Sequence, residues 1–262
     1  MSVHRSKSRT RRPKLRTVAF YDLDGTLAGL NLIHTALYLF ANLGEWSGRV
    51  AYLLNFATRI PGLYFAERQD RYLLNRVLFE LFKGVSRDRL DELGDEYCER
   101  VLMKNLYPQA RAMIEENRAA GIEPVLVTGS PDFVAGPLAR RLDIADFAAN
   151  RLVYNRGRAT GRLQPPVMAG DEKARWCVEY AAAHRLDLAN CWGYADSHYD
   201  LPFLAVLGHP VAVNPDRRLS ATARARQWPI LHFAPRRRSG GIRRELRAQA
   251  EDWLWRRLDG AA

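Results

Sequence analysis

Four short stretches of this 262-residue chain hold the residue types that could do chemistry. The first is Asp22-Leu23-Asp24-Gly25-Thr26. Two carboxylates at i and i+2, placed where a strand gives way to a loop, can both reach one pocket. That close together they repel, and one protonates unless a cation sits between them. A hard divalent ion with oxygen ligands removes the conflict, and magnesium suits a site of few carboxylates completed by phosphate and water. Gly25 permits a tight turn. The second stretch is Thr128-Gly129-Ser130, where a hydroxyl and small-residue backbone N–H groups suit a phosphoryl oxygen ahead of a helix N-terminus. The third is Lys173, a cation near the start of a later helix. The fourth, Asp196-Ser197-His198-Tyr199-Asp200, adds two carboxylates four residues apart for the metal side.

Taken singly, each has a plainer reading. A D-x-D-G-T run can be a turn or part of a calcium loop, although the full EF-hand spacing is absent. A lone lysine at a helix start is usually a surface charge, and D-x-x-x-D on a helix is usually a solvated face. Their order and their placement at strand ends carry the argument.

The elements that must position them follow from pattern. Thr17 to Tyr21 is a short apolar run that stops at Asp22 and reads as a buried strand. A long helical region spans 30–106, interrupted by Pro61-Gly62, with Ser86 as the N-cap of a helix through Leu90 and Leu93. An alternating pattern then resumes. Helices are expected at Pro108 to Ala120, Pro131 to Leu142 and Asp171 to His184. Strands are expected at Pro124 to Val127, Cys191 to Tyr194, Val211 to Val213 and Pro229 to Leu231. Leu152 to Tyr154 and Arg158 to Leu163, joined through Asn155-Arg156-Gly157, read as a hairpin. Alternation of this kind implies an α/β fold, a Rossmann-like, mostly parallel sheet with helices on both faces and an inserted helical cap. Ligands collect at the carboxyl ends of such strands, where all four stretches fall.

Composition bounds the rest. Hydrophobic residues make up 47% of the chain, enough to bury a core, which excludes global disorder. Lys+Arg is 40 against Asp+Glu 29, a net charge of +11. The excess is concentrated in a basic arm at 1–16 and an Arg-rich helix at 236–262. Either end could contact an anionic membrane or nucleic acid, against the simpler reading of a solvated basic surface. Cys98, Cys177 and Cys191 show no C-x-x-C spacing, so neither a disulfide framework nor a zinc site is expected, and a cytoplasmic location fits. No apolar run reaches the roughly 20 residues of a membrane span, so no transmembrane segment is expected.

Phe20-Tyr21-Asp22-Leu23-Asp24-Gly25-Thr26-Leu27, Thr128-Gly129-Ser130, Lys173 and Asp196 to Asp200 resemble the four signatures of the haloacid dehalogenase (HAD) superfamily. The insert resembles the C1-type cap of its phosphoserine phosphatase-like subgroup. The resemblance implies a core of 17–29 and 107–235 and a cap of 30–106. It further implies a magnesium-dependent phosphomonoester hydrolase acting on a small phosphorylated substrate. Asp22 would be the nucleophile and Asp24 the general acid–base. Thr128, Gly129 and Ser130 would hold the phosphoryl group, and Lys173 would neutralise it. Asp22, Asp24 through its carbonyl, Asp196 and Asp200 would form the metal site.

Departures from the subgroup leave the substrate open. Ala28 to Ile33 carries no acid to hold an amino group, Pro131-Asp132 follows Ser130, and Ala195 precedes Asp196. The cap stretches Leu37 to Phe40, Tyr52 to Leu54 and Leu63 to Phe65 are apolar. They either pack a bundle or receive the tail of a lipid phosphate such as a lysophospholipid phosphate or phosphatidylglycerophosphate. A reading of another class is a non-catalytic module that binds nucleic acid or anionic lipid.

Overall fold

The computed structural model describes residues 16–43, 58 and 71–234. The expected basic arm (Arg16 apart), the Tyr52 to Leu54 and Leu63 to Phe65 stretches, and the Arg-rich helix at 236–262 lie outside the described residues.

The described strands are β1 Thr17–Tyr21, β2 Ile122–Pro131, β3 Asp146–Asn155, β4 Arg158–Gln164, β5 Trp192–Ala195, β6 His209–Val213 and β7 Ile230–Leu231. They form one sheet in the order β4-β3-β2-β1-β5-β6-β7. All pairings are parallel except β3 with β4. The order reverses at β1, so β1 lies between β2 and β5, and a crevice opens at their carboxyl ends.

The strands are buried on both faces because their alternate residues enter two different cores. Ala19 and Tyr21 of β1 join one cluster with Leu126, Ile114, Val134 and Leu138. Val18 and Phe20 join the other with Val125, Val127, Cys177, Phe203 and Leu219. The helices Pro108–Ala119 and Asp132–Arg141 thus cover one face, and Asp171–His184, Leu201–Ala205 and Arg217–Ala225 the other.

The insertion leaves and rejoins the core side by side. Ala28 bridges Leu106 antiparallel, the Gly29 N–H donates to the Asn105 carbonyl at 3.1 Å, and the Tyr107 N–H donates to Leu27 at 2.9 Å. Its described helices are Leu32–Asn42, Arg71–Glu80 and Arg87–Tyr97, the last continuing through a π-turn at Cys98–Leu102 into a short helix at Met103–Asn105. Asn31 caps the first by accepting from the His34 N–H. Ser86 caps the third as expected, accepting from the Arg89 N–H. Leu39, Phe40, Phe79 and Phe82 are fully or almost fully buried here, each worth roughly 1.5–3 kcal/mol of transfer free energy. Leu37 packs against the same cluster, and Tyr38 is buried within it. The first of the three apolar stretches is therefore spent on packing.

The hairpin is longer than its sequence signals. β3 begins at Asp146 in the parallel sheet and only its second half pairs with β4. Its tip docks on the insertion, where the Arg87 N–H donates to Gly157 at 2.9 Å and the Gly84 N–H to Ala159 at 2.8 Å. A helix at Arg217–Ala225 lies where no element was expected.

Candidate active site

Asp22 is the first residue beyond β1, and its N–H still donates to the Tyr194 carbonyl of β5 at 2.9 Å. The chain then turns at Gly25, whose φ of +81° suits glycine. A Cβ there would lie 2.1 Å from Oδ2 of Asp196. Glycine is thus required twice, for its backbone angle and for the close approach of a carboxylate.

Lys173 is the third residue of the helix Asp171–His184 and is 4% exposed. Its Nζ lies 2.7 Å from Asp22 Oδ1 and 2.8 Å from Asp200 Oδ1. The sequence places these three residues in separate stretches; the fold makes them one ionic unit. Burial pushes the Asp22 carboxyl up to about 6, with Lys173 opposing and Asp200 and Asp24 adding to the rise. Burial alone would lower the Lys173 ammonium, but Asp200 and Asp22 outweigh it and hold it above its ordinary value. One ammonium thus serves two buried carboxylates at once.

Carboxylate oxygens of Asp22, Asp196 and Asp200 lie within 4.8 Å of one another. An all-oxygen set of this charge fits a hard divalent cation such as magnesium. The Asp24 carboxylate is outside that trio. It accepts from the Ser130 hydroxyl, Oγ to Oδ2 2.7 Å.

Of Thr128-Gly129-Ser130, Gly129 alone lines the cavity at the carboxylates. Thr128 is fully buried, and its hydroxyl accepts from the Ser130 N–H at 3.0 Å. Ser130 positions Asp24. β2 does not stop at Thr128 as expected but runs to Pro131, with a register shift between Val127 and Pro131. That irregularity turns Gly129 toward the crevice, where its carbonyl accepts from Asn150 at 2.7 Å.

The cavity is bounded by Asp22, Asp24, Lys173 and Asp200, by Gly129 and Gly170, and on the insertion side by Leu32 and Asn75. A larger groove of about 890 Å³, lined by Arg87, Asp132, Arg140 and Tyr154 among others, contains none of these carboxylates. Chemistry, not volume, identifies the site.

Three supporting residues escaped the sequence. Asn150 ties β2 to the loop before the helix Asp171–His184, donating to Gly129 and accepting from the Met168 N–H at 2.8 Å. Asp216 caps the helix Arg217–Ala225 through the Leu219 N–H at 2.8 Å. Its other oxygen accepts from the His198 N–H at 2.8 Å and lies 2.9 Å from His198 Nδ1. Asp216 thereby pins the loop that carries Asp196 and Asp200. Asn75 is the third. Each is a lone polar residue in no motif; the Asp-then-Leu219 capping pattern was the one usable signal.

The chain matches the haloacid dehalogenase-like hydrolase family over residues 19–205. It is 32% identical over 219 residues to an inhibition of morphological differentiation protein of Streptomyces azureus, covering 83% of this chain and 79% of that one. It is 29% identical over 229 residues to the phosphoserine phosphatase SerB1 of Mycobacterium tuberculosis (strain ATCC 25618 / H37Rv), covering 87% and 74%. Among solved structures it is similar to a protein of unknown function from Bordetella pertussis Tohama I. The TM-score is 0.71 at 26% identity, over 83% of this chain and 99% of that one.

Proposed function

The chain belongs to the haloacid dehalogenase-like hydrolase family, and from that premise we propose that it is a phosphoserine phosphatase-like phosphomonoester hydrolase whose nucleophile is Asp22. The observation that carries the proposal is the buried unit of Asp22, Lys173 and Asp200, with Lys173 2.7 Å from the nucleophile and an all-oxygen carboxylate trio beside it.

The steps divide among the residues as follows. Lys173 fixes the orientation of the Asp22 carboxylate and faces the incoming phosphoryl oxygens with positive charge. An oxygen of Asp22 forms a bond to phosphorus as the bond to the ester oxygen breaks. Asp24, held by Ser130 through one oxygen, gives its proton to the departing alkoxide. Water then attacks phosphorus, Asp24 takes a proton from it, and the bond to Asp22 breaks to release inorganic phosphate and restore the carboxylate. Gly129 offers backbone N–H donation at the phosphoryl pocket. Asp22, Asp196 and Asp200, with the Asp24 carbonyl, would hold a magnesium ion, which when bound would supply charge neutralisation to the phosphoryl group and to the carboxylates.

A small phosphomonoester is favoured over a lipid phosphate, because Leu37, Tyr38, Leu39 and Phe40 are committed to the core. A cytoplasmic location is supported by three buried cysteines that are all free. Among the described residues, no helix is long and apolar enough to cross a membrane. Contact of the basic termini with an anionic surface is a separate proposal, resting on charge alone.

The test is hydrolysis of an aryl phosphate with magnesium by wild type and Asp22→Asn. Magnesium-dependent turnover in wild type and its loss in the variant are expected. Equal rates in the two proteins would remove Asp22 from the mechanism.

A further inference from the structure

The proposed chemistry accounts for the core side of the cavity and leaves one polar side chain on the insertion side without a task. Asn75 lies on the helix Arg71–Glu80 and is 3% exposed, yet it lines the cavity that holds Asp22, Lys173 and Asp200. Its neighbours along the helix, Leu74, Leu78 and Phe79, are buried apolar residues. A carboxamide in such company costs stability unless it is hydrogen-bonded. Among the described residues no hydrogen bond occupies it, and no side-chain nitrogen or oxygen is both walled off from solvent and unpartnered. The carboxamide therefore keeps its slight exposure toward the cavity.

What it faces there is specific. A Cβ built on Gly129 would meet Asn75 Nδ2 at 3.5 Å and the Met168 carbonyl at 3.2 Å. The amide group of Asn75 thus approaches Gly129, at the phosphoryl pocket, from the opposite wall. The cavity measures about 30 Å³, on the scale of a couple of waters. Asn75, Gly129 and Lys173 all line it, so a group seated beside Gly129 meets the amide of Asn75. The carboxamide carries two N–H donors and no charge, which suits a phosphoryl oxygen and adds nothing to the acidic excess.

We propose that Asn75 is a substrate-contacting residue of the insertion, donating a hydrogen bond to the phosphoryl group that the core holds from the other side. This deepens the phosphatase reading and rests on it for the identity of the ligand. Asn75 then takes up its partner only when substrate is present, which links occupancy of the core site to the position of the insertion helix.

The test uses Asn75→Ala and Asn75→Asp in the full chain, the second nearly isosteric and presenting a carboxylate to the phosphate. Two readouts are taken with magnesium: KM and kcat for an aryl phosphate, and the Kd of inorganic phosphate by calorimetry, which needs no turnover. A hydrogen bond to a charged group leads us to expect about a tenfold rise in KM and Kd for Asn75→Ala. A larger rise is expected for Asn75→Asp. Should wild type fail to turn over, the catalytic reading falls while weaker phosphate binding by the variants still upholds the contact. Unchanged KM and Kd in both folded variants would overturn it. So would an absence of phosphate binding to wild type, whatever the melting temperatures do.

Discussion

The two walls of the cavity are made of different material. The core wall holds Asp22, Asp24, Lys173 and Asp200, drawn from the ends of β1 and β5 and the start of one helix, and cross-linked by hydrogen bonds and ion pairs. The insertion wall offers Leu32 and Asn75, backed by a cluster of leucines and phenylalanines. Charge on the first wall cannot be left unpaired without loss of both fold and chemistry. The second wall contributes shape and one neutral amide. On the proposed reading, reaction type resides in the core, and the insertion adds shape and one neutral donor around the group held there. Substitutions should separate along the same line.

The largest effect is expected at Lys173. Replacing it with methionine leaves Asp22 and Asp200 buried without their ammonium. Breaking a buried pair from one side costs about 3–5 kcal/mol, and turnover should be lost with it. Magnesium should restore part of the stability, since a dication replaces the missing charge. Urea melts with and without magnesium check this. A Lys173→Met protein as stable as wild type without metal would show that the core wall is not a charge-balanced unit.

On the other wall, Leu39 is fully buried and does not line the cavity. Leu39→Ala should destabilise the protein by about 2–5 kcal/mol. Below its melting temperature its kcat should stay close to that of wild type. A loss of kcat as large as that of Lys173→Met would erase the division between the walls.

The smallest effect concerns Asp216, outside both walls. Burial works to raise its carboxyl, but N–H donation from Leu219 and His198 and the nearby His198 ring outweigh it and hold it below the ordinary carboxylate range. A carboxylate whose pKa is lowered by folding contributes stability above its unfolded value, near 3.9. That contribution is lost as pH falls through the lower folded value. Asp216→Asn keeps a side chain that caps as well and loses only a partly exposed charge, so it should cost about 0.5 kcal/mol at neutral pH. The gap to wild type should close below about pH 4. Chemical denaturation from pH 3 to 7 measures it, and a gap independent of pH would mean that the charge of Asp216 is not what pins the loop.

What could be read from the sequence was what is encoded locally. β1 at Thr17–Tyr21, the helix Asp171–His184, the Ser86 cap and the Asn155-Arg156-Gly157 turn all occur where expected, because apolar runs, caps and turn residues act within a few positions. The carboxylates proposed for catalysis and Lys173 were legible as motifs. The first half of β3 was not: Asp146, Ala148, Ala149 and Asn150 are poor strand formers, and burial beside β2 overrides their preference. The helix Arg217–Ala225 buries only Leu219 and Ala223, one turn apart at i and i+4, so its apolar stripe is short and easily passed over beside the surrounding arginines. Asn75, Asn150 and Asp216 depend on which elements become neighbours, and the true partners of the Thr128 and Ser130 hydroxyls depend on the irregularity in β2. None of that is visible before the sheet order is known.

The most direct measurement is a single turnover with a phosphomonoester labelled with ³²P, quenched in acid and digested. Label on the peptide that contains Asp22, absent from Asp22→Asn, is the expected result. Turnover by wild type that releases labelled phosphate and never labels the protein, across quench times that bracket the reaction, would contradict attack by the Asp22 carboxylate.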